Sequence, residues 1–230
     1  MNNFFVESTF FGAFISLAAY EVGLWCKKKW KFSFLNPLLI AIVITILVLL
    51  GLHIDYDTYN AGAKYISYLL TPATVCLAIP LYQQFELLKK NYVAVLAGIV
   101  SGVLTSVVMI LALSVLFHFS HAEYVTFLPK SVTTAIGMGI SEQLGGYVPV
   151  TVVAIIITGV SGNIIAEPVC KLFRITEPIA KGVGIGSASH AIGTARAMEM
   201  GEVEGAMSGL SIAVAGILTV FAAIVFSMLY

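Results

Sequence analysis

Arg196 is the residue whose type and setting most demand explanation. It lies in a weakly polar run, GVGIGSASHAIGTARAMEM at 182–200, close to Ser187, Ser189, His190 and Thr194. A guanidinium inside an apolar layer costs about 2.5–3.5 kcal/mol unless it is paired or wet. Its planar fork of donors suits a carboxylate. His190 and Thr194 stand four apart and share a face if the stretch is helical. Gly184, Gly186 and Gly193 make a continuous helix expensive, and a break there would turn backbone N–H groups toward an anion. These residues read as a cradle for a carboxylate. The plainer alternative is a structural ion pair of Arg196 with Glu167, Glu142 or Glu199, or a side chain that snorkels to the interface.

A second interruption lies at Leu70-Thr71-Pro72-Ala73-Thr74. Pro72 lacks an N–H and disfavours helix at Thr71. Thr71 is therefore expected to cap a half-helix that starts at Pro72, with the Thr74 hydroxyl facing the break. A packing kink is the alternative. Ser161-Gly162-Asn163 and Glu167-Pro168 are expected to interrupt another apolar run near its end. There Asn163 either bonds between helices or lines a cavity. Glu142 and Glu167 are the candidate coupling carboxylates, and the residues do not choose between them. The chain has no GxSxG, no HExxH and no phosphate loop. Ser189 and His190 are adjacent, so on a helix they point apart. Four scattered histidines and three separate cysteines, Cys26, Cys76 and Cys170, give no expected metal site and no cofactor.

The elements that must position these groups follow from composition. The 230 residues are 59% hydrophobic and 10% charged, with 12 basic and 12 acidic residues and no net charge. A soluble domain is about 25% charged. A nucleic-acid binder would need a basic surplus, and a disordered chain far less apolar content. What remains is a chain that resides in a lipid bilayer. Apolar stretches at 8–26, 35–54, 92–118, 147–170 and 205–229 approach or exceed the roughly 20 residues of a spanning helix. Residues 61–88 and 182–200 read as interrupted spans, and 129–146 as a re-entrant or external hairpin. Clusters at Lys27–Lys31, Lys89–Lys90 and Lys171–Lys181 should be cytoplasmic. Lys64 and Lys130 are exceptions on the outer side. The alternation predicts an external N-terminus and a cytoplasmic C-terminus, provided that 61–88 and 182–200 cross.

The two chain halves share an order of elements. The expected architecture is an all-α polytopic membrane protein of about seven spans plus a re-entrant segment. Its repeats, 35–118 and 147–229, would form an inverted 3+3 pair with two interrupted helices and an extra N-terminal helix. That order is a pointer to a secondary transporter. Small-residue faces at Gly98-x-x-x-Gly102 and Gly205-x-x-x-Gly209 suit helix joining within one chain or in a homo-oligomer.

LLTPATVCLAIPLYQQ at 69–84, LPKSVTTAIGMGISEQLGG at 128–146, GNIIAEP at 162–168 and GIGSASHAIGTARAMEMGEVEGAMSGLSI at 184–212 together resemble the LrgB/CidB family. Thr71 stands where the family pattern has glycine or another small residue, and Ala135 where proline is frequent. The resemblance covers the chain from about residue 8 and implies a single LrgB-like integral membrane domain. It also implies carriage of small monocarboxylates such as pyruvate, glycolate or lactate, with an LrgA-type holin-like partner, in a bacterial cytoplasmic membrane. The same resemblance carries a second role, antiholin-like control of murein hydrolase export and autolysis. For the site, the expectation is Thr71, Thr74, Asn163, Ser187, Ser189, His190, Thr194 and Arg196 on the substrate.

Overall fold

A computed structural model describes residues 10–30, 36–76 and 78–230, without the side chains of Leu70, Thr71, Thr74 and Pro80. Among the described residues the chain is helical, with no strand. It divides into two compact units, one up to Cys76 and one from Leu77 on.

The first unit holds α1 (Phe11–Trp30), α2 (Pro37–Gly51), α3 (Tyr56–Ser67) and α4 (Leu70–Cys76). Asn36 starts α2 by accepting the N–H groups of Leu38 and Leu39, and Pro37 occupies the first helical position, where no N–H is needed. Gly12 lets α1 lie directly on the Tyr59–Ala63 backbone of α3. There the Ser16 hydroxyl donates to the Gly12 carbonyl, so Tyr59 must donate to Ser16. Asp55 caps α3, and its carboxyl is held below the usual range by the Thr58 hydroxyl that bonds it. The expected half-helix at Pro72 begins two residues earlier. α4 runs from Leu70, with the Ala73 N–H bonded to the Leu69 carbonyl. Pro72 therefore sits in a first helical turn, where its missing N–H costs nothing. Thr71 lies inside the helix rather than capping it.

The second unit holds α5 (Ala78–Gln83), α6 (Phe85–Phe117), α7 (His121–Phe127), α8 (Thr134–Gln143), α9 (Val148–Leu172), α10 (Pro178–Met200) and α11 (Glu202–Ser227). Among the described residues three helices, α6, α9 and α11, are long and apolar enough to cross a membrane. They match the expected stretches 92–118, 147–170 and 205–229. α2 is apolar but only 15 residues long. α9 runs unbroken through Ser161-Gly162-Asn163 and Pro168, contrary to expectation. Gly162 there admits Ser189, and Asn163 donates to the Ile192 carbonyl, so the small and polar residues serve contact with the neighbouring segment instead of a break.

α6 and α11 run in the same direction and α9 runs against them. Val95, Ile99 and Val103 pack with Ala206, Met207 and Ala215 near one end. Val107 and Ile110 pack with Ala223 and Tyr124 near the other. One end is marked by Lys171, Arg174 and Lys181. The opposite end is marked by tyrosines: the Tyr230 hydroxyl donates to the Phe119 carbonyl at 2.6 Å and lies 3.0 Å from that of Ser114, and Tyr124 donates to that of Phe226.

Two hairpins fill the space between these helices, and they enter from opposite ends. The first comprises α7 and α8. It leaves the tyrosine end, where Ser120 and Glu123 form a reciprocal capping box. The Ser120 backbone N–H and hydroxyl hold the Glu123 carboxyl below its usual range. Its tip, Lys130–Ser131, reaches Ser106 in the middle of α6. The return arm climbs α9, with Gly137 against Ile155 and then the Ser141 hydroxyl 2.7 Å from that of Thr151.

The second hairpin is α10 itself. Its backbone is non-helical at Ser189 (φ −132°, ψ 19°) and His190 (φ 43°, ψ −144°). Ile185 and Ala197 pack in one cluster with Ala166. On a straight helix, twelve residues would separate them by about 18 Å. Val183 and Ser187 ascend α6 at Gly98 and Gly102. Ile192 then lies against Gly159, and Asn163 and Arg196 meet Ile192 and Glu167, a descent along α9. The chain thus enters from the basic end, reverses at Ser189–His190 and returns.

This arrangement corrects the expected parity. Residues 182–200 do not cross, so α11 rises from the basic end and Tyr230 lies at the end opposite Lys171, Arg174 and Lys181. The expectation that the C-terminus shares a side with that cluster fails. A topology reporter fused after Tyr230 should match one inserted at 118–120 and oppose one inserted at 174–176. Agreement between the C-terminal and 174–176 reporters in intact cells would overturn the hairpin.

Candidate functional site

The tips of the two hairpins converge near the middle of the second unit. His190 is the sharper of them. Its φ of 43° is a conformation that non-glycine residues rarely adopt and that costs about 1–3 kcal/mol. Its ring holds the turn in place. His190 Nε2 lies 3.0 Å from the Ile155 carbonyl. A carbonyl only accepts, so Nε2 carries the proton, and in the neutral ring Nδ1 is an acceptor. The ring fits over α9 because residue 159 is glycine: a Cβ there would lie 2.6 Å from Cε1.

Ser189 donates to the Ile185 carbonyl at 2.8 Å and is enclosed by Gly162 of α9 and Gly193 of the return arm. Thr194 donates to the His190 carbonyl at 2.9 Å. Its one proton is then committed, so Ser208 of α11 donates to Thr194 across 2.7 Å. Asn163 donates to the Ile192 carbonyl at 2.8 Å. The buried polar groups around the tip therefore serve mainly to hold the reversal. The three glycines predicted as the break are not at it. Gly186 allows contact with the Ser208 backbone, Gly193 makes room for Ser189, and Gly184 faces open space. The break instead falls at Ser189–His190.

Arg196 is remote from this tip. It points to the basic end and pairs with Glu167 and Glu199, while Lys171 binds the other Glu167 oxygen at 2.8 Å. Lys181 and Glu204 face each other at 3.7 Å. These charges surround a wide cleft of about 730 Å³ that also takes in Arg174. Of the two arrangements open in the sequence, Arg196 adopts the ion pair with Glu167 and Glu199. Glu142 is exposed at the tyrosine end, far along α8 from the tip. Thr71 and Thr74 belong to the first unit, and their side chains lie outside the described residues. Among the described residues, no three His, Cys, Asp or Glu side chains gather into a metal-sized cluster.

A residue outside the predicted set stands at the centre. Lys130, at the tip of the first hairpin, is partly buried and lines a cleft of about 440 Å³ between α6 and α10. Ser106, Ser131 and Ser187 line the same cleft, with Ser101 and Thr105 of α6. Lys130 Nζ lies 3.0 Å from Ser131 Oγ and 3.4 Å from Ser106 Oγ, and the two hydroxyls are 3.1 Å apart. Of the predicted residues, Ser187 and Gly184 reach this cleft. Charge counting set Lys130 aside as an exception to the outer-side pattern. The signal that could have found it is a lone lysine in the Pro129–Ser131 turn of a segment expected to re-enter the membrane.

Three helices long and apolar enough to cross a membrane, with two opposed hairpins meeting between them, define an integral membrane protein with a polar centre. Sequence comparison then supplies the family. A model described as "LrgB-like family" matches residues 16–229. Proteins named "Antiholin-like protein LrgB" from Bacillus mycoides (strain KBAB4), Bacillus cereus (strain B4264) and Bacillus anthracis (strain CDC 684 / NRRL 3495) are each 40% identical over 212 residues, 92% of this chain and 92% of theirs. The chain belongs to the LrgB-like family, a family of membrane proteins rather than of enzymes. No solved structure matches it.

The packing around the tip is directly testable. A Cβ at Gly162 would collide with Ser189, whereas at Gly139 nothing lies within 4 Å. Gly162→Ala should cost about 1–3 kcal/mol, and Gly139→Ala should be neutral or slightly stabilising, by up to about 1 kcal/mol. Thermal unfolding in detergent compares them, and equal shifts would contradict the contact.

Proposed function

We propose that this chain carries small monocarboxylates, of the pyruvate, glycolate and lactate class, across a bacterial cytoplasmic membrane by alternating access, with an LrgA-type small membrane subunit as partner. The observation that supports the reading is the pair of opposed hairpins whose tips meet beside a polar cleft. Irregular backbone at membrane depth is tolerated where it is buried in protein or lines a water-filled cavity. Broken helices at mid-depth are a recurrent way of forming a solute site. The basic end, with Lys171, Arg174 and Lys181, is cytoplasmic by the rule that cytoplasmic loops are rich in lysine and arginine. The tyrosine end is then external. Ser187 contacts the solute in this reading, Ser189, His190, Thr194 and Asn163 set the shape of the moving tip, and Arg196, paired with Glu167 and Glu199, orders the cytoplasmic mouth. Glu167 at that mouth and Glu142 at the other end are the carboxylates available for proton coupling.

A second reading is favoured by the names of the relatives, which are antiholin-like proteins. In it the chain regulates murein hydrolase export and autolysis through partner contacts and carries no solute. The two readings separate experimentally. Proteoliposomes holding this chain and its small partner should accumulate labelled pyruvate, glycolate or lactate above empty vesicles. Absence of uptake of all three, with lysis control intact in cells when Ser187 and His190 are replaced by alanine, favours the regulator.

A further inference from the structure

We propose that Lys130, with Ser106, Ser131 and Ser187, forms the binding site for a single carboxylate at the junction of the two hairpin tips. The substrate class rests on the carrier reading above; the placement of the site rests on geometry.

Among the described residues the lysine is a cation without a counter-charge. No carboxylate there lies within ion-pair distance of Lys130, and the two groups that its ammonium bonds, Ser106 and Ser131, are neutral hydroxyls. This contrasts with the basic end, where Arg196, Lys171 and Lys181 each face a glutamate. An unpaired charge held among apolar helices is costly and marks an ion path more often than a structural contact. An ammonium has three N–H donors. Ser106 and Ser131 occupy two, and the third is open to the cleft.

The surroundings fit a small anion. The cleft, about 440 Å³, is lined by Lys130 and by hydroxyls from both hairpins and α6. Ser187 donates its proton to the Val183 carbonyl at 2.7 Å, so toward a solute its oxygen is an acceptor. A hydroxyl group on the solute would suit it. Ser101 likewise donates to the Gly98 carbonyl at 2.9 Å. One fixed positive charge matches one negative charge. A dicarboxylate would leave a second carboxylate uncompensated in a medium where charge burial is expensive.

The site also has the right position to be switched. Lys130 and Ser131 sit on the hairpin that enters from the tyrosine end, and Ser187 on the one that enters from the basic end. Movement of either tip would open the cleft to one side while the other tip still closes it.

The test measures binding separately from transport. The full chain with its partner subunit, in lipid nanodiscs, is titrated with lactate, malonate and lactamide, and uptake of lactate is measured in parallel. The unaltered protein should bind lactate at least ten-fold more tightly than lactamide or malonate. Lys130→Met, with an unchanged melting temperature to show that it folds, should weaken lactate binding ten-fold or more and abolish uptake. Lys130→Arg should retain part of the binding. Lactate binding that survives in a folded Lys130→Met protein overturns this site but leaves the carrier reading standing. Lactate binding lost in Lys130→Met while the unaltered protein shows no uptake upholds the site and overturns the carrier. An unaltered protein that neither binds nor transports overturns both. If Lys130→Met fails to fold, Ser106→Ala with Ser131→Ala takes its place, and unchanged lactate affinity there overturns the site.

Discussion

Backbone hydrogen bonding is the constraint from which the rest of this fold follows. In an apolar layer an open N–H or C=O costs several kcal/mol, so a chain that stops half-way must give its ends partners inside the protein. The second unit stops half-way twice. At Ser189–His190 the exposed groups are answered by side chains: Thr194 reaches back to the His190 carbonyl, Asn163 takes that of Ile192, and Ser189 takes that of Ile185. The histidine ring does the reverse and anchors itself to a carbonyl of the neighbouring helix. Almost every buried polar residue of the segment has such a duty.

Close approach is the second requirement. Lipid tails are as apolar as leucine, so helices in a bilayer gain little by hiding large side chains from them and associate through tight contact. Here serines and a histidine meet glycines: Ser187 on Gly102, Ser189 on Gly162, His190 on Gly159. The small residues of the family-like segment at 184–212 thus serve packing more than flexibility. The charged residues are segregated from this zone. Arg196 and its glutamates form a network at one end, and Lys130 at the centre bonds the hydroxyls of Ser106 and Ser131.

The sequence makes the three long helices plain, because each is an apolar run of more than 20 residues and nothing else explains such a run. It also shows that residues 182–200 are discontinuous. It does not show that they turn back. Nineteen residues of low hydropathy suit one crossing of about 28 Å or two arms of about 14 Å equally well, and the choice is made by contacts with α6, α9 and α11. Placing the break at the glycines followed propensity; the actual reversal is at a serine and a histidine, where tertiary bonds overrule it. Lys130 was hidden for a related reason. Counting lysines treats each as a marker of the nearest membrane face, and only the packing of Ser106 against Ser131 reveals the depth to which this one is carried. In Arg196 the residue type was suggestive, but its partners, twenty-nine residues away and three residues away in sequence, decide what it does.

The opposed hairpins also alter the electrical profile of the protein. Each has arms of about ten residues, roughly 15 Å long, against a hydrocarbon layer of about 30 Å. Water drawn along such arms from either face would reach toward the middle. The membrane voltage would then fall across the short interval between the tips instead of the full layer. At about 2.3 kcal/mol per elementary charge for each 100 mV, a small displacement of one charge at that interval senses much of the potential, and the tips become the place where voltage can do work.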